Sequence, residues 1–438
     1  MSKYYKIEEI CTVKGGKRIP QGCTLQIKAN SHPYIRILDM YQGRILNISK
    51  EMQYAKDEYW NVIKKYTVKS GDVILAIVGN TLGMVSIIGD TLNEANLTEN
   101  CCKFDELDTN IVRSLFLYYS LISPLNQKII EKFKVGSSQP KLPIYNINQL
   151  LIPKIDVTVQ DKITGLLSAI DSKIENNIKI NRELESMAKT IYDYWFLQFE
   201  FPNEEGKPYK SSGGKLVWNE EVKKEIPAEW RVGKLNMFIK QDKGGDWGKE
   251  IEEVNYTKKV TCLRGADFPA ICGNAKLNAP ERYIHEKNSF KILNDGDLII
   301  EISGGSPTQS TGRVCYINDN TLKRFENEII TSNFCKAICL VDNEYMYWFY
   351  ILWCKLYENG VFFKYEGKTT GIKNLLFEML CSDYLIVVPN VDMIKKYNNK
   401  VRDCFMKIQS NQLENQELTS LRDYILPLLM NGQIKFID

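Results

Sequence analysis

Only two histidines, His32 and His285, occur in this 438-residue chain, and they lie far apart. Acid–base sets and Ser-His-Asp triads draw on histidine first, so a hydrolase has little to use. The twelve cysteines include no C-x-x-C pair; Cys101 and Cys102 are adjacent, and Cys335 and Cys339 are four apart. A zinc site would have to be gathered from scattered residues, and reduced, mostly buried thiols are the simpler reading. A Walker loop needs G-x-x-x-x-G-K-[ST]. Gly367-Lys368-Thr369 supplies its end, but the upstream Gly360 is too far away. The stretch GGSPTQSTG (Gly304–Gly312) carries no matching lysine. Neither an Asn/Asp-Pro-Pro-aromatic tetrapeptide nor a Phe-x-Gly-x-Gly loop, both marks of amino-methyltransferases, is present. The chain therefore reads as non-catalytic, with no metal and no cofactor of its own.

What remains is a set of polar, Gly-rich loops carrying Lys and Arg. Near the N-terminus they hold Lys14, Lys17, Arg18, Arg36, Asn80, Thr81, Ser137, Ser138, Gln139 and Lys141. Further along they hold Lys243, Lys258, Lys259, Arg264, Ser306, Thr308, Gln309, Arg313, Lys368, Thr369, Thr370 and Lys373. Lysine and glycine amides suit phosphates, while Gln, Asn, Arg and Thr suit base edges. Arg36 and Arg264 could equally serve as structural partners of Asp39 and Asp267, three residues on. A net charge of +3 does not by itself argue for nucleic acid, so local clusters or partners must supply the field.

The two sets of loops sit at matching places because the chain is written twice. Lys14-Gly15-Gly16 recurs as Lys243-Gly244-Gly245, and Arg36-x-x-Asp39 as Arg264-x-x-Asp267. Gly71-Asp72 recurs as Gly296-Asp297, LTENCCKF from Leu97 as ITSNFCKA from Ile330, and RELESM from Arg182 as QELTSL from Gln416. LLIPKID around Pro153 recurs as IVVPNVD around Pro389; order is kept and the offset drifts only between 225 and 236 residues, as loop insertions and deletions would cause. Each copy is a mixed domain followed by a long helix. VILAIVG and LIIEISGG read as strands leaving a Gly-Asp turn. SLFLYYSLI and YMYWFYILW read as buried helices.

The helices show a heptad. The first carries Ile163, Leu166, Ile170, Lys173, Asn177, Ile180, Leu184, Met187, Ile191 and Tyr194. The second carries Val401, Cys404, Ile408, Asn411, Asn415, Leu418, Ile425 and Leu429, with Pro427 expected to end or kink it. The first rod should span roughly 58 Å at about 1.5 Å per residue. Its seam would be exposed alone, so the two rods are expected to pair antiparallel about an internal two-fold, with Asn177 and Asn411 fixing register. The apolar end Tyr192, Tyr194, Trp195 and Phe196 could also meet helices of another protein.

The segment IDSKIENNIKINRELESMAKTIYDYWF, then EGKPYKSSGGK, then EIPAEW resembles the specificity subunits of type I restriction-modification systems, and the resemblance covers the whole chain. It implies an α+β fold of two tandem mixed α/β target-recognition domains, each followed by a long helix, with the helices paired as an antiparallel coiled coil of internal pseudo-two-fold symmetry. The implied boundaries are 1–152 for the first domain, 153–200 for the central spacer helix, 201–225 for an ordered connector, 226–388 for the second domain and 389–438 for the C-terminal spacer helix. Gly213-Gly214 should turn the connector, Tyr209 and Trp218 should anchor it, and Ile226-Pro227 should open the second domain. Each domain would read one half of a bipartite double-stranded DNA site. The helices would set the gap and dock two methyltransferase subunits, joined by a motor-nuclease subunit, with one copy of this chain per complex. The N-terminus lacks a signal-peptide pattern, and a cytoplasmic protein is expected. Alternatives are the DNA-recognition subunit of a type II system with a fused nuclease-methyltransferase partner, a non-DNA-binding coiled-coil scaffold, and a nucleotide-binding protein using EGKTTG.

Overall fold

The computed structural model describes residues 3–272, 277–304, 309–368 and 372–434. The chain divides into two compact units: residues up to Ser172 together with those from Leu418 onward, and Lys173–Glu417. Each unit holds its own part of both long helices, Val157–Tyr192 and Val391–Met430.

In the first unit the Gly71-Asp72 turn releases the strand Val73–Ala76, all four residues of which are buried. It lies inside a five-stranded sheet ordered Thr12–Gly15, Cys101–Asp105, Val73–Ala76, Val85–Ile88, Ile45–Leu46. A second sheet pairs Pro33–Ile35 antiparallel to Gln53–Tyr54 and parallel to Asn96–Leu97. The apolar helix Ser114–Ile122 is buried from Phe116 to Leu121 and packs into the core with Val73, Leu75 and Phe104. Its aromatics are core residues, as its near-continuous apolar run requires.

The second unit repeats this order. Ile239–Gly244, Cys335–Leu340, Leu298–Glu301 and Val314–Tyr316 form one sheet in that sequence. Lys258–Leu263 pairs antiparallel with Glu281–Ile284 and parallel with Ile329–Thr331. The helix Met346–Glu358 is buried on nearly every side, with Trp348, Phe349 and Trp353 at its centre. An extra three-stranded sheet joins Ser303–Gly304, Lys373–Leu375 and Glu366–Lys368.

The helices run antiparallel. In the second unit the Asn177 amide donates to Asn415 Oδ1 at 2.9 Å, and the Asn411 amide donates to Asn181 Oδ1 at 2.8 Å. The repeat offset exchanges these two pairs, so they are the internal two-fold seen at atomic level. Buried amides that satisfy each other only in one alignment fix register. In the first unit Ile163 and Leu167 pack with Leu426 and Leu429, and the Arg422 guanidinium donates to buried Asp171 at 2.9 Å. Pro427 lies inside the second helix, three residues before its end at Met430.

The C-terminal heptad has the expected phase: Val401, Ile408, Asn411 and Leu429 are buried, with Leu418 and Ile425 half-buried. In the central helix every second position is off by one. Ile163, Ile170 and Asn177 are buried, and Leu184 and Ile191 pack against the core. Leu166, Ile180, Met187 and Tyr194 instead face outward, and the seam uses Leu167, Asn181 and Ala188. At Ile180/Asn181 and Met187/Ala188 the larger apolar residue looked like the core choice. The helices bury the smaller or hydrogen-bonding neighbour.

Residues 201–227 are ordered. Asn203 accepts the Glu205 and Lys207 amides, and Tyr209 stacks on Phe201 at 4.5 Å and donates to the Lys215 carbonyl at 2.8 Å. Gly213 has φ +84°, and a Cβ on Gly214 would collide with the Tyr209 ring. Leu216–Asn219 and Lys224–Pro227 form a hairpin. Trp218 is exposed and anchors nothing; the anchor is Trp230, stacked on Phe201 at 4.9 Å and edge-on to Phe199.

Candidate nucleic-acid interface

In the first unit three strands bring their loops to one end of the main sheet. Thr12–Gly15 and Val73–Ala76 both end where Cys101–Asp105 begins. From this end rise Gly16–Arg18, the turn Gly79–Thr81 and the loop 135–141. The last is pinched shut by two hydrogen bonds between Val135 and Lys141, and tied to the turn where Gly79 N–H donates to the Pro140 carbonyl at 2.8 Å. Ser137, Ser138, Gln139, Lys141 and Asn80 are exposed, and Thr81 is half-buried beside them. Lys17 is exposed over the Tyr66 ring, and Arg18 reaches Glu99 at 2.6 Å. Burial raises the Glu99 carboxyl, but the hydrogen bonds from Arg18, its own backbone N–H and Thr98, with the Arg18 charge, together outweigh it and hold the group below its ordinary range. The structure thus gathers Lys17, Arg18, Asn80, Thr81 and Ser137–Lys141 into one polar rim. Lys14 stands on the sheet face beside it, engaged by Asp105 and Glu106, whose hydrogen bonds raise its pKa.

The repeated glycines have a structural cause. A Cβ on Gly16 would lie 2.1 Å from the Thr98 carbonyl, and one on Gly245 would lie 1.9 Å from that of Ser332. Only glycine lets these strand ends pass so close.

Four expected DNA contacts are instead framework. Arg36 donates to both oxygens of Asp39, at 3.0 and 2.8 Å, and to the Glu51 carbonyl. Arg264 repeats this with Asp267, at 2.9 Å to each oxygen, and with the Asn278 carbonyl. In both, the aspartate also accepts the arginine's own backbone N–H and so caps a short helical turn. Arg313 forks onto Glu301 at 2.8 and 2.7 Å. Lys243 is buried, its ammonium held by Asp297 at 2.8 Å and the Ile292 carbonyl at 3.0 Å. A cation so enclosed cannot reach a phosphate.

Lys258 and Lys259 pair with Glu328 and Glu281 on the outer part of their strand, and Lys373 pairs with Glu366. Gln309 is exposed. Lys368 belongs to the strand Glu366–Lys368. Ser306, Thr308, Thr369 and Thr370 lie outside the described residues. Sequence reasoning missed Trp247, Asn333 and Phe334, which the strand register, one residue off the sequence match, places at the positions of Arg18, Glu99 and Asn100. The sequence match sets Asn333 against Asn100 and Phe334 against Cys101, which hides the change.

All twelve cysteines are free thiols. Burial pushes Cys262 and Cys335 up to about 12, which keeps them protonated at neutral pH. Among the described residues no helix is long and apolar enough to cross a membrane.

Residues 2–186 match the type I restriction modification DNA specificity domain family. The chain is 26% identical to the type I restriction enzyme MjaIX specificity subunit of Methanocaldococcus jannaschii, over 98% of this chain and 93% of that one. It is 23% identical to the HindI specificity subunit of Haemophilus influenzae, over 84% and 88%. The chain is thus similar to type I specificity subunits along nearly its whole length. The fold agrees: the S subunit of a type I system from M. genitalium superposes with a TM-score of 0.54 at 16% identity, over 99% of this chain and 96% of that one. The family match covers the first copy of the repeat, and the full-length relatives extend it through the second.

Proposed function

We propose that this chain is the non-catalytic DNA-reading subunit of a type I restriction-modification complex acting in the cytoplasm. The carrying observation is one fold unit built twice on antiparallel helices joined by reciprocal asparagine pairs. Residues 1–152 and 226–388 act as target-recognition domains, each reading one half of a bipartite double-stranded site. Residues 153–200 and 389–438 act as spacers, and 201–225 holds the second domain in place. Lys17, Arg18, Asn80, Thr81, Ser137, Ser138, Gln139 and Lys141 contact the first half-site, with Lys14 close by. Gln309, Lys368 and Lys373 serve the second, with Lys258 and Lys259 at its margin.

Two methyltransferase subunits supply adenine methylation, and a motor-nuclease subunit supplies ATP-driven cleavage; one copy of this chain organises them. The outward row Leu166, Ile180, Met187 and Tyr194, between 40% and 47% exposed, supports docking of partner helices along the spacer. Modified-base sequencing of DNA from cells carrying this gene and its methyltransferase tests the reading. One bipartite, gapped methylated motif is expected. Sequence-independent methylation, or none with an active methyltransferase present, would refute it.

A further inference from the structure

The loop end of the second unit's main sheet differs in kind from that of the first. It holds an open pocket of about 520 Å3 bordered by Trp247, Ala266, Gly304, Asn333, Phe334 and Ile372. Phe334 is 53% exposed, Ile372 48% and Trp247 36%. Large apolar groups grouped around one opening on a polar loop surface mark a binding site. The charges that line the pocket are already engaged: Arg264 by Asp267 and Glu301 by Arg313. Among the described lining residues a phosphate would find no available cation. One face of Trp247 is covered by the Arg282 guanidinium, 4.2 Å from the ring centre, which itself pairs with Glu250. Asn333 is exposed, and among the described residues its side-chain amide has no protein partner.

This chemistry selects one group on DNA. In the major groove the apolar feature is the 5-methyl of thymine, and an asparagine amide matches N6 and N7 of adenine. Methyl and adenine edge belong to the same base pair, and Phe334 and Asn333 are neighbours in sequence. In the strand register the equivalent positions of the first unit are Asn100 and Glu99, with Arg18 in place of Trp247, and there Arg18 and Glu99 form an ion pair. One place on a repeated framework is thus ionic in one copy and aromatic in the other, as a base-reading position should be.

We propose that the second recognition domain reads a T·A base pair, with Phe334, Ile372 and Trp247 receiving the thymine methyl and the Asn333 amide reading its adenine. The inference rests on the DNA-reading function above. The test uses the full chain with its methyltransferase subunits and duplexes carrying the motif found by modified-base sequencing. Each thymine of the second half-site is replaced singly by uracil, which lacks only the methyl, and each adenine by 7-deaza-adenine, which lacks N7. One uracil is expected to weaken binding roughly tenfold, and 7-deaza-adenine in the same pair is expected to act similarly. In Phe334→Ala the uracil effect should fall below about twofold, and in Asn333→Ala the 7-deaza effect should vanish. Phe334 is half exposed, so folding should survive; an unchanged first half-site preference checks it. Uracil without effect at every thymine of the second half-site would overturn the proposal while leaving the DNA-reading function standing. Absence of any specific motif would remove both.

Discussion

The two units share a framework and differ at its rim. Strand order, the Arg-x-x-Asp cap and the glycine pressed against a carbonyl are the same in both. The lysine serving the Gly-Asp aspartate is not. In the second unit it is Lys243, on the strand Ile239–Gly244, 2.8 Å from Asp297. In the first it is Lys103, on Cys101–Asp105, 3.8 Å from Asp72, while Lys14 turns outward to Asp105 and Glu106. Two lysines that align in sequence therefore do different work. A repeated motif shows where the framework is, and only the geometry shows which of its side chains remain available to a ligand.

Breaking the helix pair should have the largest effect. Asp171 and Arg422 have no charged counterpart at the two-fold-related positions, Ala188 and Phe405. Asp171→Leu leaves the guanidinium half-buried and Tyr119, which donates to Asp171 at 2.6 Å, without its acceptor. We expect about 3 kcal/mol of destabilisation in urea titrations, mostly regained in Asp171→Leu/Arg422→Met. Next come the aligned lysines: Lys243→Met should cost about 2 kcal/mol by leaving Asp297 buried without its cation, whereas Lys14→Met should leave the urea midpoint nearly unchanged. The adjacent seam and outer positions should also separate. Ala188→Leu should cost about 2 kcal/mol by overpacking. Met187→Asp should leave stability within about 0.5 kcal/mol and instead weaken methyltransferase binding, read by calorimetry.

The smallest effect concerns pH. The Asn177 amide, followed by Lys173, holds the Glu414 carboxyl below its ordinary range. A depressed carboxyl contributes stability above its unfolded pKa and loses it as pH falls through the folded value. Glu414→Gln should therefore lower stability slightly at pH 7, leave it little changed in acid, and so flatten the acid limb of the stability profile.

The repeat and the antiparallel helices were legible because each rests on periodicity or on collinear matches, which one sequence displays. The heptad phase was half legible, since Leu166 and Leu167 both suit a seam and only packing chooses. The candidate site was the least legible. Arg36, Arg264, Arg313 and Lys243 have the right types for DNA, but each is engaged by an acid, and for Lys243 and Arg313 that acid comes from another strand. The Trp247–Phe334 pocket is assembled from loops far apart in sequence.

The central claim is that the paired helices set the distance between two independent half-sites. Its most direct test removes one heptad from both at the two-fold, residues 177–183 together with 411–417, keeping the remaining seam in phase. The pair shortens by roughly 10 Å at about 1.5 Å per residue, or roughly three base pairs of B-DNA. Modified-base sequencing should show both half-site sequences unchanged and the gap between them shorter. An unchanged gap, or altered half-site sequences, would contradict the account.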